Sequence, residues 1–146
     1  MKLIFTHTSG FVPALIRLWE DSYWNHVAII TPDDKFVVEA QWGVGVSKRS
    51  LCEVKRDCLD YIVYEFDTES DVAGINWAYT QLGLPYDYLA IIAYPFNRDW
   101  QDETSWYCCE LALRAAQMAG QTVTTEQSRY GLKLCEDMAY KWALKL

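Results

Sequence analysis

Residues 26–40, HVAIITPDDKFVVEA, decide the fold of this chain. The two runs HVAII and KFVVEA are rich in valine and isoleucine, which is the composition typical of β-strands. Between them stands TPDD, residues 31–34, whose proline and aspartates are typical of a tight turn. We therefore predict that the two strands pair as a hairpin around this turn.

The hairpin brings a histidine and a glutamate together. If residues 31–34 form the loop, Ile30 pairs with Lys35 and His26 pairs with Glu39. Directly opposed residues have Cβ atoms roughly 5 Å apart, which allows a carboxylate to contact an imidazole. A slip of one residue would send Glu39 to the opposite face of the sheet. The pattern predicts a His26–Glu39 contact, which has either a catalytic meaning or the simple structural one of two polar groups satisfying each other.

Further elements flank the hairpin on both sides. Strands are predicted at residues 2–8, 43–50 and 60–66. Helical spacing and glycine stops predict helices at residues 11–20, 71–83, 108–120 and 130–146. The stretch LPYDYLAIIAYPF is ambiguous and is interpreted as an aromatic loop leading into a short apolar helix. Strands grouped in the middle with helices around them predict one α+β domain over residues 1–146.

Composition and charge exclude several classes of protein. The 146 residues are 51% hydrophobic, 15% aromatic and 23% charged, which suits a single globular domain. A net charge of -7 argues against nucleic-acid binding, and no apolar run approaches the ~18 residues of a membrane helix. The N-terminus is interpreted as a strand rather than a signal peptide. We therefore expect a cytoplasmic protein whose five cysteines are free thiols.

The stretch SWYCCELALRAAQ, residues 105–117, places two adjacent cysteines at the start of a predicted helix. At about 100° per residue, Cys108 falls near the middle of the apolar arc and Cys109 falls nearer its edge. Unpaired N–H groups and the positive end of the helix dipole favour a thiolate in the first turn. Free cysteines are also among the most buried residues, so two plain core thiols are an equal alternative.

A thiolate nucleophile needs a base, and the chain has only two histidines. His26 with Glu39 as its partner would supply the base and the orienting group of a cysteine hydrolase acting through Cys108. His7 lies at the end of the first strand, in THTSG, without an evident carboxylate partner. It is the weaker candidate for the base.

The sequence lacks the common patterns of metal and phosphate sites. Five residues separate Cys52 from Cys58, and Cys108 and Cys109 are adjacent, so neither pair has zinc-ligand spacing. The run GVGV is not followed by the G-K-[ST] of a phosphate-binding loop. We expect no metal and no cofactor.

Four motifs together resemble a known family. WNHVAII, VVEAQWGVGV, LGLPYDY and WYCCELALRAA follow the order typical of circularly permuted NlpC-type papain-like proteins, and more specifically of the YiiX/YebB-like group. Members carry an aromatic-x-Cys-Ser-Glu-Leu motif at a helix start, and earlier a Ser-His-Val-Ala/Gly-Ile strand with a glutamate in the next strand. The resemblance runs from about Thr8 to Ala119. Two positions differ, because Cys109 replaces the motif's serine and Asn25 precedes the histidine.

The resemblance implies a permuted papain-like fold, in which a central antiparallel sheet packs against the nucleophile helix and surrounding helices. It implies Cys108 as the nucleophile, His26 as the base and Glu39 as the orienting residue. Acyl transfer to the thiol and then to water follows, with the oxyanion near the Cys108 N–H. Tyr86 and Tyr107 are expected to bind substrate.

The function implied is a cysteine hydrolase that cleaves an amide or ester bond, with cell-wall peptides as the first substrate class. Two alternatives remain at this point. One is a thiol acyltransferase or esterase directed at lipid or acyl substrates, and the other is an inactive papain-like binding module. A polar cleft would favour peptides, whereas an apolar tunnel would favour acyl chains.

Overall fold

The computed structural model describes residues 1–88, 104–123 and 131–144, and within them the protein is α+β with a five-stranded sheet and five helices. The strands are β1 (Lys2–His7), β2 (His26–Ile30), β3 (Phe36–Gln41), β4 (Gly45–Ser50) and β5 (Asp60–Glu65). The helices are α1 (Phe11–Glu20), α2 (Leu51–Asp57), α3 (Asp71–Thr80), α4 (Cys108–Met118) and α5 (Leu132–Ala143).

The strands follow the order β4-β3-β2-β1-β5, and every neighbouring pair is antiparallel. The predicted hairpin is present as β2 and β3, with β2 the middle strand of the sheet. Helix α4 packs against both strands of the hairpin, α3 packs against α4, and α5 contacts β5 and α4. The nucleophile helix of the sequence prediction therefore lies across the hairpin.

The predicted register of the hairpin is wrong by two residues. Ile30 lies opposite Val37 rather than Lys35. The turn causes the difference, because the Thr31 N–H donates to the Phe36 carbonyl at 2.9 Å. Thr31 therefore still belongs to the paired strands, and the four-residue loop begins and ends one residue later than predicted.

A shift of two residues leaves the side-chain parity of the hairpin intact. Side chains alternate between the faces with a period of two, so only an odd slip exchanges the faces. His26 and Glu39 consequently remain on one face, although they are not the directly opposed pair of the prediction. Their contact depends on this shared face.

The sheet separates two apolar clusters. The larger one fills the space between the sheet and helices α3, α4 and α5, and its sheet residues include Leu3, Phe5, Val27, Ile29, Val38 and Ala40. The smaller one lies on the other face and comprises Ile4, Ala28, Ile30, Val37, Leu51 and Val54. Helix α2 supplies the last two residues and covers that face.

The other predicted elements are confirmed within a few residues, except for two stretches. Helix α2 was not predicted, and the part of LPYDYLAIIAYPF beyond Tyr88 lies outside the described residues. The extent of the single domain stays a prediction. None of the helices in the described ranges has the length and apolar character needed to cross a membrane.

Candidate active site

Three elements bring the predicted catalytic residues together. His26 is the first residue of β2, Glu39 lies near the end of β3, and Cys108 is the first residue of α4. Helix α4 packs across β2 and β3, and the interaction of Cys108 with His26 places its N-terminus at the end of the hairpin opposite the turn. Cys108 and His26 are distant in the sequence, and this packing makes them neighbours.

The predicted contact between His26 and Glu39 is confirmed. His26 Nε2 lies 2.6 Å from Glu39 Oε2, a distance typical of a charge-assisted hydrogen bond. The Glu39 side chain is only 1% exposed, whereas that of His26 is 18% exposed. The carboxylate is thus buried behind the ring, and the ring is partly open to solvent.

The Cys108 thiol is the other hydrogen-bonding neighbour of the His26 imidazole. Because Nε2 is bound to Glu39, Nδ1 is the ring nitrogen that remains for the sulfur. The Val27 N–H also acts on the Cys108 sulfur, and the Cys109 sulfur lies 3.9 Å from it, where either thiol could be the donor. Three polar groups therefore surround a sulfur that is almost completely buried.

The pKa values of Cys108 and His26 move in opposite directions. Burial raises the pKa of the Cys108 thiol, but the hydrogen bonds from Cys109 and His26, and the charge of His26, outweigh burial and hold that pKa well below its usual value. Burial lowers the pKa of His26, but Cys108 and Glu39 together raise it from 6.5 to about 10. Between the two values the favoured state is a thiolate–imidazolium pair.

Cys109 is the opposite case. The sequence placed it nearer the edge of the apolar arc, yet it is 0% exposed because α5 brings Cys135 against it. Burial, followed by the contacts with Cys108 and Cys135, raises the pKa of the Cys109 thiol well above its usual value. Cys109 is therefore a protonated core thiol.

Asn25 occupies the position before the histidine, where the resembled family has a small residue. Its Oδ1 accepts from the Thr8 N–H at 2.7 Å and from Arg17 at 3.2 Å, and its Nδ2 donates to Thr8 Oγ1 at 2.9 Å. These bonds tie the start of β2 to the segment that follows β1. Asn25 therefore fixes the backbone that carries His26.

Arg49 and Asp57 are site residues that the sequence analysis missed. Arg49 Nη1 lies 3.7 Å from Glu39 Oε1, and Arg49 Nη2 donates to the Asp57 carboxylate. Burial raises the pKa of Glu39, but His26 and Arg49 outweigh burial and lower it. Parity could have identified Arg49, because it lies two residues from Ser47, which pairs with Glu39.

A cleft of about 230 Å³ opens beside His26 and Glu39. Its apolar wall comes mainly from α1 and includes Val12, Pro13, Ile16 and Val54. Its polar lining includes Thr6, Thr8, Asn25, Gln41, Arg49 and Asp57. Trp42 and Tyr86 complete the cleft, so it offers both apolar and hydrogen-bonding surface.

The two tyrosines predicted to bind substrate have different positions. Tyr86 lines the cleft, and its ring centroid lies 5.7 Å from that of Trp42. Tyr107 precedes Cys108, is buried, and donates its hydroxyl to the buried Glu20 carboxylate. Tyr107 is not among the cleft residues in the part of the chain that the structure describes, and its binding role stays a prediction.

His7 does not belong to this cleft. Its ring centroid lies 4.6 Å from that of Tyr23, with the two rings tilted against each other, and it pairs with Asp60 of β5. It follows Thr6, the partner of His26, so its side chain points to the opposite face of the sheet. His26 is therefore the histidine that lies beside Cys108.

No protein-family model matches this chain, and no curated protein matches it. The resemblance to the permuted NlpC-type proteins therefore stays a prediction that rests on the four motifs. Within residues 1–88, 104–123 and 131–144, no group of three or more His, Cys, Asp or Glu side chains could hold a metal ion. The expected lack of a cofactor also stays a prediction.

Proposed function

We propose that the protein is a cysteine hydrolase with a permuted papain-like fold, which cleaves an amide or ester bond through Cys108. The observation that carries this proposal is the arrangement of the Cys108 thiol beside His26, whose Nε2 lies 2.6 Å from the buried Glu39 carboxylate. Burial alone raises a thiol pKa, as it does for Cys109. The opposite shift at Cys108 supports a nucleophilic role.

In the proposed acylation step, the Cys108 thiolate attacks the carbonyl carbon, and a C–S bond forms as the carbonyl electrons move to oxygen. N–H groups of the first turn of α4, including that of Cys108, have no acceptor within the helix and would donate to this oxyanion. The His26 imidazolium gives its Nδ1 proton to the leaving amine or alcohol. The C–N or C–O bond then breaks and leaves a thioester on Cys108.

In the proposed deacylation step, neutral His26 takes a proton from water, and the hydroxide attacks the thioester carbonyl. The C–S bond breaks, the acid product leaves, and the thiolate–imidazolium pair is restored. Glu39 orients the ring by accepting from Nε2 and stabilises its positive charge throughout. Glu39 therefore acts on the reaction through His26.

The lining of the cleft favours peptide or amide substrates, cell-wall peptides included. Thr8, Gln41 and Arg49 provide hydrogen-bonding groups beside His26, which suits a polar backbone. A second candidate, an acyl ester, is favoured by the apolar wall that Val12 and Ile16 contribute. Substrate class thus depends on which part of the cleft binds the acyl group.

A probe series tests the proposal. Peptidyl, short-acyl and lipid chains are attached to one chloromethyl ketone group, and the labelled residue is identified by peptide mapping at pH 6. We expect labelling of Cys108 ahead of Cys109 and Cys135, with the peptidyl probe fastest. Cys108→Ala should abolish this labelling, and the matched variant Cys109→Ala should retain it.

Two results would contradict the proposal. One is equal labelling of the wild type and of Cys108→Ala. The other is preferential labelling of Cys109, which would show that Cys109 rather than Cys108 is the reactive thiol.

A further inference from the structure

The charged side chains at the site continue beyond Glu39. From the sulfur outward, the sequence of groups is Cys108, His26, Glu39, Arg49 and Asp57, with alternating sign when Cys108 is a thiolate. Of the two carboxylates in this series, Glu39 is buried, at 1% exposure, whereas Asp57 is 46% exposed. Arg49 joins the buried carboxylate to the exposed one.

Glu39 lies where an ionised carboxylate is energetically unfavourable, because the side chain is removed from water. One oxygen, Oε2, is bound to His26, but the buried Oε1 has no hydrogen-bond partner among the described residues. An ionised carboxylate out of water needs a compensating charge, and without one it takes up a proton. Arg49 Nη1, 3.7 Å from Oε1, supplies a positive charge on that side.

Arg49 is itself held in place. Its Nη2 donates to the Asp57 carboxylate at the end of α2, and its side chain is 25% exposed. An anchored guanidinium loses less orientational freedom when it also serves a second carboxylate. The ion pair between β4 and α2 therefore fixes where the positive charge lies relative to Glu39.

We propose that Arg49 is a positioning residue, which keeps Glu39 ionised and turned toward His26 and thereby maintains Cys108 as a thiolate. This role rests on the proposed function for its catalytic meaning. The competing explanation is that Arg49 only joins α2 to β4 through Asp57. The two explanations differ in what the reactivity of Cys108 does when Arg49 is replaced.

The charges and titratable groups that face the site come from every element packed against it. Glu39 is faced by His26 from β2 and by Arg49 from β4, and Arg49 is faced by Asp57 from α2. His26 and Cys109 act on Cys108 directly, and Cys108 in turn acts on Tyr86 and Tyr107. The groups one step further out are Glu20, Asp87 and Cys135. Arg49 is therefore the cation that acts on Glu39 from the side away from His26.

The test is the second-order rate of Cys108 alkylation by iodoacetamide as a function of pH. Loss of the guanidinium raises the pKa of Glu39 and weakens the imidazolium, so thiolate formation requires a higher pH. We expect Arg49→Gln to move the acid limb upward by roughly 0.5–1 unit, less than the ~1–3 units by which such a charge shifts a neighbouring carboxyl, because the effect reaches Cys108 only through Glu39 and His26. Arg49→Lys, which keeps the charge but cannot reach both carboxylates as a fork, should move it upward by less.

Arg56→Gln is the matched control. Arg56 also pairs with Asp57, at 2.9 Å, but it is 70% exposed and is not a partner of Glu39. Its replacement should leave the alkylation profile unchanged. A shift equal to that of Arg49→Gln would show that the effect comes from Asp57 or from net charge, and would overturn the proposal.

A double-mutant cycle separates action through Glu39 from a general field. In the Glu39→Gln background, Arg49→Gln should produce no further shift. The same shift in both backgrounds would overturn the positioning role. Should Arg49→Gln fail to fold by circular dichroism, Arg49→Lys carries the test, and an unchanged profile in that variant would contradict the proposal.

Failure of this inference is distinguishable from failure of the proposed function, because alkylation needs no substrate. An ordinary thiol profile in the wild type would overturn both. A profile with a low acid limb in the wild type, left in place by Arg49→Gln, would overturn only the role of Arg49.

Discussion

Cys108 and Cys109 share the first turn of α4, and both are almost fully removed from solvent. Position on the helix and burial are therefore nearly the same for the two thiols. Their pKa values nevertheless move in opposite directions, because Cys108 faces His26 while Cys109 faces Cys135. At the scale of the residue, the partner decides the direction in which the thiol pKa moves, and the helix N-terminus contributes a smaller part.

The size of the imidazolium's contribution can be tested by removing it. Without the cation, the helix dipole contributes only ~0.3–1 kcal/mol, less than one pKa unit, so His26→Ala should lose most of the depression of the Cys108 pKa. Glu39→Gln should keep the ring in place but weaken the imidazolium, which gives an intermediate profile. The measurement is the alkylation rate of Cys108 against pH.

The direction in which the alkylation profile shifts with pH follows from the pairing of the Cys108 thiolate with the His26 imidazolium. The pKa of Cys108 is lowered and that of His26 is raised to about 10, so the reactive state exists between the two values. Loss of His26 raises the lower boundary and moves the acid limb toward the unperturbed thiol value of about 8.5. Identical profiles in the wild type and both variants would mean that Cys108 is an ordinary thiol.

The sequence predicted the contact partners at this scale only where parity was enough. His26 and Glu39 were paired correctly because a four-residue turn and a period of two fix the shared face, even though the register was off by two. Arg49 was missed because Ser47 and Arg49, alternating on the edge strand β4, have the pattern typical of a solvent-exposed face. Its meaning depends on a buried carboxylate, and burial requires the tertiary structure.

At the scale of the element, the packing of α3 against α4 sets the position of Cys108. Gly74 in α3 lies so close to α4 that an added Cβ would be 2.6 Å from the Ala115 carbonyl oxygen and 3.0 Å from Ala119 Cβ. The small side chains of α4 permit this approach. Helix α4 is thus held between α3 and the hairpin.

Gly74→Ala tests this close approach. Alanine normally favours a helix over glycine by ~1 kcal/mol, but here the Cβ meets backbone and the two helices must separate. We expect a net loss of roughly 1–3 kcal/mol in the free energy of unfolding, measured by urea denaturation. The matched control Asn76→Ala, at an exposed position on the same helix, should change it by less than about 0.5 kcal/mol.

A Gly74→Ala protein as stable as the wild type would contradict the close packing of α3 on α4.

Elements with clear periodicity, such as the hairpin and α4, could be predicted from the sequence. Helix α2 could not, because seven residues with two buried apolar positions are too short to show a period. The hairpin register also failed, since the Thr31–Phe36 pairing depends on the detailed geometry of the turn.

At the scale of the whole molecule, the candidate site lies at the open end of the hairpin, where Cys108 at the start of α4 meets His26 and the face of α1 lines the cleft. No local pattern in the sequence brings Cys108 to His26; their partnership was inferred from the base that a thiolate nucleophile needs and from the resemblance of the motifs. The packing supplies this juxtaposition and a cleft beside it. Trp42, 46% exposed, lines this cleft and packs against Tyr86 and Tyr88.

The exposed face of Trp42 predicts a contribution to substrate binding. Its ring lies 4.9 Å from that of Tyr88 and 5.7 Å from that of Tyr86, so Trp42 and Tyr86 form an aromatic edge of the cleft against which Tyr88 packs. Loss of one aromatic contact costs about 0.5–1.5 kcal/mol, which corresponds to a roughly 2–10-fold weaker association. Trp42→Ala should therefore lower the labelling efficiency of the preferred probe by this factor through binding rather than through the maximal inactivation rate.

Trp19→Ala provides the control for this prediction. Trp19 on α1 has a similar exposure, 42%, but is not among the residues that line the cleft. Its replacement also removes one indole ring, but it should leave both the labelling efficiency and the maximal inactivation rate unchanged. Because Trp42 is not a neighbour of the sulfur, Trp42→Ala should also keep the pH profile of iodoacetamide alkylation. An equal loss in both tryptophan variants would indicate a general effect of the substitution, and the aromatic edge would then have no part in recognition.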